Sequence, residues 1–248
     1  MSQLVQKKII ELIEENYLRA SVLFFFGIHF YNYSEKTLDQ VCREKGINTK
    51  RLIKNLENPE GYKRINESSL RNYPLDLIIE YLKHSHYIFV KQKLPYLLKL
   101  VANLDNSRQD KVSRDLKFIF PFFAEDFIHH VYEEEDTLFS YILTLSSYQS
   151  KKGNISKVYW EMESNSIREF ALEHTMDDDE MAGIRELTSN YTLGNSKDIH
   201  LRVIFEELKA FEKELQIHAR VENQILFPKA LALENEIKLK LKNVISSN

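Results

Sequence analysis

Two stretches of this chain share the pattern His-x-x-x-Glu-x-x-x-Leu-Phe: His130, Glu134, Leu138 and Phe139, and, 88 residues further on, His218, Glu222, Leu226 and Phe227. Residues four apart on an α-helix lie on one side, almost one above the other, so each pair brings an imidazole nitrogen and a carboxylate to a common point. Two more histidines keep the same offset: His86 and His174 each stand 44 residues before the His of the motif that follows. The chain reads as two copies of one arrangement, a histidine and then a His-x-x-x-Glu pair. Four imidazoles and two carboxylates form a nitrogen and oxygen donor set suited to a pair of iron, manganese or zinc ions within a helix bundle.

For such side chains to converge, long helices must carry them, and the composition favours long helices. Six glycines and five prolines in 248 residues fall below the roughly 7% and 5% of average proteins, while Leu, Ile, Glu and Lys are abundant. The expected fold class is all-α, with almost no sheet and a chain long enough for a substantial core. The lone cysteine, Cys42, excludes an internal disulfide framework and a cysteine-built metal site within one chain, and a reducing cytoplasm fits it best. Lysines break up the first eleven residues, so no signal peptide is expected. The densest apolar patch, Val22 to Phe26, is far short of the ~20 residues that span a bilayer, so no membrane partner is expected. A net charge of -3 with interleaved signs gives no reason to expect nucleic acid.

Residues 1–57 read as a small helical unit with apolar positions such as Ile13, Leu23, Val41, Leu52 and Leu56. A polar linker, 58–73, follows with Pro59, Gly61 and the run Asn66, Glu67, Ser68, Ser69, residues that favour turns or solvated chain. Pro74 can start a helix, since its missing N–H costs nothing in a first turn. Residues 74–248 then carry four long helical segments at about 75–103, 109–147, 157–190 and 197–245, an antiparallel up-down-up-down bundle. The expected connections are Asn103 to Ser107, Lys151-Lys152-Gly153-Asn154 and Leu193-Gly194-Asn195-Ser196, each short enough to reverse the chain. Pro95, Pro121 and Pro228 should kink or interrupt three of the segments. Thr175 to Glu180 and Gly183 weaken the third.

Helical periodicity selects among the eight histidines. His86 falls in the stripe Leu75, Ile79, Leu82, Phe89, Val90, Leu97 and Leu100, whereas His84 falls opposite with Glu80 and Lys91. His130 shares a face with Ile119, Phe123, Phe127, Glu134 and Tyr141. Its neighbour His129 pairs with Glu133 at the right spacing but lacks the downstream Leu-Phe. His218 and Glu222 lie with Ile204, Phe211, Leu215 and Ile225, and His174 follows Trp160, Ile167 and Phe170. Within Glu133-Glu134-Glu135-Asp136 only Glu134 is expected to point inward. A buried, unpaired carboxylate would neutralise or destabilise the fold, and a cation supplies the missing charge. The plainer alternative is that these are solvated i,i+4 pairs of the kind any chain with 29% charged residues contains.

Taken together, these residues resemble a known family. His218-Ala-Arg-Val-Glu222-Asn-Gln-Ile-Leu226-Phe227-Pro228-Lys-Ala-Leu is similar to the last metal motif of hemerythrin-like (HHE) domains, and His130 to Phe139 to the earlier one, over about residues 75–235. The resemblance implies a non-haem di-iron centre in a hemerythrin-like four-helix bundle, with both glutamates bridging and two histidines on each iron. The metal ligands would be His86, His130, Glu134, His174, His218 and Glu222. Six protein ligands leave room for an oxo, hydroxo or water bridge and an exchangeable position, and the same donors accept manganese or zinc. Further upstream, Arg19-Ala-Ser-Val-Leu-Phe24, Phe26-Gly-Ile-His29-Phe and Lys36-Thr37-Leu38 resemble the N-terminal domain of the iron-sulfur cluster repair di-iron proteins (the RIC, YtfE or ScdA family). That domain usually carries Cys-Cys followed by Gly-Gly. Here the stretch reads Tyr31-Asn32-Tyr33-Ser34-Glu35, which puts thiol-dependent steps in doubt.

The leading expectation is a cytoplasmic di-iron protein that restores iron-sulfur clusters after nitrosative or oxidative stress, through NO, O₂ or peroxide chemistry or by donating iron, with damaged iron-sulfur proteins as partners. No catalytic residue is assigned, and Tyr141 and Trp160 are read as core residues. The alternatives are a non-catalytic O₂- or NO-binding, sensing or iron-buffering protein, and a metal-free interaction module whose N-terminal domain mediates homodimer formation.

Overall fold

The computed structural model describes residues 3–59, 67–104, 111–150, 153–176, 179–194 and 198–246. All elements among them are helical, and the only extended pairing is an isolated antiparallel bridge between Lys8 and Thr37. The chain divides into two compact units. One comprises Met1–Arg64, Lys93–Pro121 and Gly183–Glu212, and the other Ile65–Gln92, Phe122–Ala182 and Lys213–Asn248.

The first unit contains five short helices, α1 (Ile9–Glu15), α2 (Arg19–Phe25), α3 (Phe30–Tyr33), α4 (Leu38–Lys45) and α5 (Thr49–Glu57). None is long enough to be stable alone, so their stability comes from packing. Ile9, Leu12, Leu23, Leu38, Leu52 and Leu56 are buried among them. Local polar groups fix where they begin and end. The Thr37 hydroxyl accepts from the Gln40 N–H while the Gln40 carboxamide accepts from the Thr37 N–H, a capping box that starts α4. Gly46, at φ 65°, ends the same helix in the left-handed conformation that favours glycine. The Arg19 guanidinium ties three helices together by donating to Leu12 O and Leu56 O, each at 3.2 Å, and to Glu15 Oε2 at 2.8 Å.

In the stretch Tyr31-Asn32-Tyr33-Ser34-Glu35, Tyr31 stacks on His200 (centroids 5.0 Å apart, planes at 9°) and also stacks with His29 at 5.8 Å. Burial pulls both imidazoles below their ordinary range and pushes the Tyr31 phenol up, so the stack is uncharged near neutrality. Cys42 lies in the core of this unit.

Downstream, α6 (Glu67–Leu70) is a single turn inside the expected linker. The linker residues Gly61 and Asn66 lie outside the described residues. Then come α7 (Leu75–Ile88), a π turn (Phe89–Lys93) and α8 (Leu94–Ala102), followed by α9 (Lys111–Glu134), a second π turn (Glu135–Phe139) and α10 (Ser140–Gln149). The last stretch is α14 (Ile199–Val221), a third π turn (Glu222–Leu226) and α15 (Phe227–Ser246). Three of the four expected segments are therefore continuous. The third is not: it divides into α11 (Ile155–Ser164), α12 (Ile167–Met176) and α13 (Ala182–Leu187). Asn165 is extended and stops α11, and its side chain turns back to the Glu161 carbonyl. Asn154 starts α11 by accepting from the Ser156 and Lys157 N–H groups. The expected connecting residues Asp105 to Ser107, Lys151-Lys152 and Asn195-Ser196 lie outside the described residues.

No proline interrupts its segment. Pro121 sits within α9, and Pro95 and Pro228 each fall in the first turn of an α-helix that directly follows a π turn, where a missing N–H costs least.

The second unit owes its core to Ile78, Ile79 and Leu82 of α7, Ile142 and Leu145 of α10, Ile167 of α12 and Ala230 and Leu233 of α15. The Leu-Phe pairs of the repeated motif, Leu138-Phe139 and Leu226-Phe227, are all part of it. Glu234, 1% exposed, is a polar knot in this core. It accepts from the Tyr141 hydroxyl at 2.8 Å and the Ile167 N–H at 3.2 Å, and it pairs with Lys238 at 3.0 Å. Tyr141 is thus a core residue as expected. Trp160 is not: it is 70% exposed, because α11 buries only Val158.

Candidate metal centre

Five helical elements of the second unit carry the six selected side chains: His86 on α7, His130 and Glu134 at the end of α9, His174 on α12, His218 on α14 and Glu222 on the third π turn. Four of them gather closely. One donor atom each from His86, Glu134, His218 and Glu222 lies within 4.8 Å of every other. Their exposures are 2%, 7%, 9% and 1%. The Nε2 atoms of His86 and His218 face each other at 3.0 Å, and His86 Nε2 is 3.3 Å from Glu134 Oε2. His218 Nε2 approaches Glu222 Oε1 at 3.0 Å, and His174 Nε2 approaches Glu222 Oε2 at 3.0 Å.

His130 stands apart from the tight group. Its side chain is 44% exposed and its Nε2 lies 3.4 Å from Glu180 Oε1. The cause is the face that α9 buries. Leu116, Phe120, Ala124, Phe127 and Val131 are the buried stripe, whereas Ile119, expected inside, is exposed. His130 therefore sits at the edge of the stripe and Glu134 within it. His84 and His129 are exposed, as their helical positions require.

The aromatic members of the motif brace the imidazoles. Phe139 stacks on His86 (5.5 Å, 8°), and Phe227 meets His174 edge-on (5.4 Å, 68°). Phe89 packs edge-on against His218 at 5.6 Å. The three π turns sit beside ligand candidates: one starts three residues after His86, one immediately after Glu134, and one at Glu222 itself. A π turn widens the helix by one residue and recurs at functional sites.

Electrostatically the group is under tension. Burial and the neighbouring Glu222 push the Glu134 carboxyl up to about 8. Burial would also raise Glu222, but His218 and His174 hold it well below the usual carboxylate range. The pair therefore keeps one proton, on Glu134, because two adjacent buried carboxylates cannot both ionise freely. Burial opposes charge on His86 as well, but Glu134, Glu135 and Glu222 outweigh it and leave that imidazole raised. Burial and His174 lower His130. Glu134 Oε1, Glu222 Oε1 and His218 Nδ1 are buried with no hydrogen-bond partner among the described residues. Glu222 Oε1 is close to His218 without the alignment of a hydrogen bond. Buried carboxylate oxygens without donors are costly. A divalent cation among these four donors would relieve that cost, so the residues fit a metal ion of the nitrogen- and oxygen-preferring kind.

Two neighbours were not legible in the sequence. Glu135, expected at the surface, is partly buried and its Oε1 lies 2.9 Å from His86 Nδ1. Glu180, from the weak part of the third segment, approaches His130. The repeat could not point to either, because neither has a counterpart carboxylate in the other half.

No family profile matches the chain. Several curated proteins do resemble it at low identity. A probable iron-sulfur cluster repair protein of Haemophilus influenzae is 25% identical over 205 residues, covering 78% of this chain and 82% of the relative. The iron-sulfur cluster repair protein YtfE of Musicola paradisiaca is 24% identical, covering 86% and 91%. The iron-sulfur cluster repair protein ScdA of Staphylococcus haemolyticus is 19% identical, covering 88% and 95%. These distant likenesses run over most of each chain and support the repair family. No described helix is long and apolar enough to cross a membrane.

Proposed function

We propose that this chain is a cytoplasmic non-haem di-iron protein that takes part in repair of iron-sulfur clusters damaged by nitrosative or oxidative stress. The observation that carries this reading is the buried His86, Glu134, His218 and Glu222 group with its carboxylate oxygens short of donors. The names of the relatives supply the biological setting. The reading includes a hemerythrin-like four-helix bundle over residues 74–248, joined through 58–73 to a small helical domain at 1–57. His86 and His218 would hold one ion and His130 and His174 the other, with Glu134 and Glu222 as the carboxylate ligands.

A reduced pair of irons supplies electrons and an exchangeable position for a diatomic ligand. The chain contributes the rest. His86 and His218 are fixed by Phe139 and Phe89, so they need little reorganisation when an ion enters. Glu134 gives up its proton as the ion arrives, which couples loading to pH. His130, at the exposed edge, faces the side from which a small ligand or a chelating partner can approach.

Protein purified from iron-supplemented cells should carry about two irons per chain, and the reduced form should consume NO. Release of N₂O identifies turnover, whereas NO retained without N₂O identifies a binder or sensor. Iron far below one per chain would make the metal-free interaction module the better reading.

A further inference from the structure

Glu135 lies against the outer nitrogen of His86. The carboxylate oxygen Glu135 Oε1 lies 2.9 Å from His86 Nδ1, and Glu135 Oε2 lies 3.7 Å from Lys83 Nζ. A carboxylate oxygen only accepts, so the hydrogen of that bond belongs to Nδ1. In the neutral ring the opposite nitrogen, Nε2, then keeps the lone pair, and it faces the space shared with His218 Nε2 and Glu134 Oε2. Phe139, stacked flat on the same ring, braces its plane.

Glu135 reaches this position because the π turn starts at it, directly after Glu134. Two consecutive glutamates are thus divided in their tasks, with Glu134 on the inner nitrogen of His86 and Glu135 on the outer one. Its neighbours Glu133 and Asp136 are exposed and make no such bond.

From this geometry we propose that Glu135 is a positioning residue for the metal centre: it fixes the Nδ1–H tautomer of His86 and raises the basicity of the coordinating nitrogen, with Lys83 holding the carboxylate in place. The proposal rests on the reading of the buried cluster as a metal site. Carboxylates that hold the outer nitrogen of a ligand histidine are worth about 10–100-fold in metal affinity.

Two measurements on the full chain test it. Cobalt(II) affinity by chelator competition should fall about 10–100-fold in Glu135→Ala, recover in part in Glu135→Gln, whose amide oxygen still accepts, and stay within about twofold in Glu133→Ala and Asp136→Ala. Nitrogen-15 shifts of the His86 ring in cation-free protein should report Nδ1–H in the wild type and a gain of the Nε2–H form in Glu135→Ala. An Ala variant that binds cobalt as tightly as the wild type, or keeps Nδ1–H, overturns the role of Glu135 while leaving the metal centre standing. A wild type that binds no cobalt, iron or zinc overturns both. If the Ala variant does not fold, the Gln variant carries the comparison: a smaller loss of affinity with Nδ1–H kept is expected, and wild-type affinity in it overturns the proposal.

Discussion

Exchanging Glu134 for glutamine should make the cation-free protein more stable while weakening its response to metal. The folded carboxyl titrates at about 8, against 4.5 for the ordinary side chain. Above 4.5 the unfolded chain gives up this proton, whereas the folded chain keeps it until about pH 8. Because the folded state binds more protons in that window, its stability falls as pH rises. At pH 7 the span above the unfolded value is roughly 2.5 pH units at ~1.36 kcal/mol each, or about 3 kcal/mol. Glutamine is neutral and nearly the same shape, so it avoids this cost. The advantage of Glu134→Gln should therefore be about 3 kcal/mol at pH 7, larger at pH 8, and gone near pH 4. A divalent cation at about 100 times its Kd should then stabilise the wild type by about 2.7 kcal/mol and the variant by far less. Urea denaturation followed by circular dichroism at pH 5, 7 and 8, with and without cobalt(II) or zinc(II), reads all of this. A variant less stable than the wild type at pH 7 without cation, or one that gains as much from the ion, would refute the reasoning.

Three further outcomes follow from the geometry. His86→Ala should lose cation affinity by more than the about 10–100-fold attached to a supporting group, while the exposed His84→Ala should bind like the wild type in the same chelator competition. Glu234→Ala should cost about 3 kcal/mol in urea denaturation, because it strips buried donors on Tyr141 and Ile167 of their acceptor; Lys238→Ala, removing a half-exposed partner, should cost less than about 1 kcal/mol. Cys42 is buried and burial pushes its thiol up, so iodoacetamide should leave the native chain unmodified by mass spectrometry and add once after denaturation. Rapid labelling of the native protein would show that the core around Cys42 is open.

The burial of His86 was legible because α7 alternates apolar and polar residues at a helical period and has one apolar face: Leu75, Ile79 and Leu82 are buried and Glu80 and His84 are not. The face of α9 was harder to read. Phe118, Ile119, Phe120, Phe122 and Phe123 make the helix apolar almost all round, and periodicity cannot choose among such residues. Packing chose Phe120 and Ala124 and left Phe118, Ile119 and Phe122 exposed, which moved His130 to the rim. Glu135 escaped notice because a helical wheel assumes 100° per residue throughout, and the backbone leaves that geometry at this residue. Trp160 was expected inside because a continuous helix puts it on one side with Ile167, Phe170 and His174, but the break at Asn165 separates α11 from the helix that carries His174, so the two no longer share a face.

The doubling of the motif extends beyond the ligands. In the first half Glu134 meets His86 and Phe139 covers the same ring; in the second half Glu222 meets His174 and Phe227 covers that one. Each half thus places an imidazole, a carboxylate and a phenyl ring beside a π turn. The two segments differ at the residue after the glutamate: Glu135 in one, Asn223 in the other. A homodimer of half-length chains would have to place the same residue at both positions. The single polypeptide can carry an anionic side chain at one of these positions and a neutral one at the other, so the two halves of the motif need not be chemically equal.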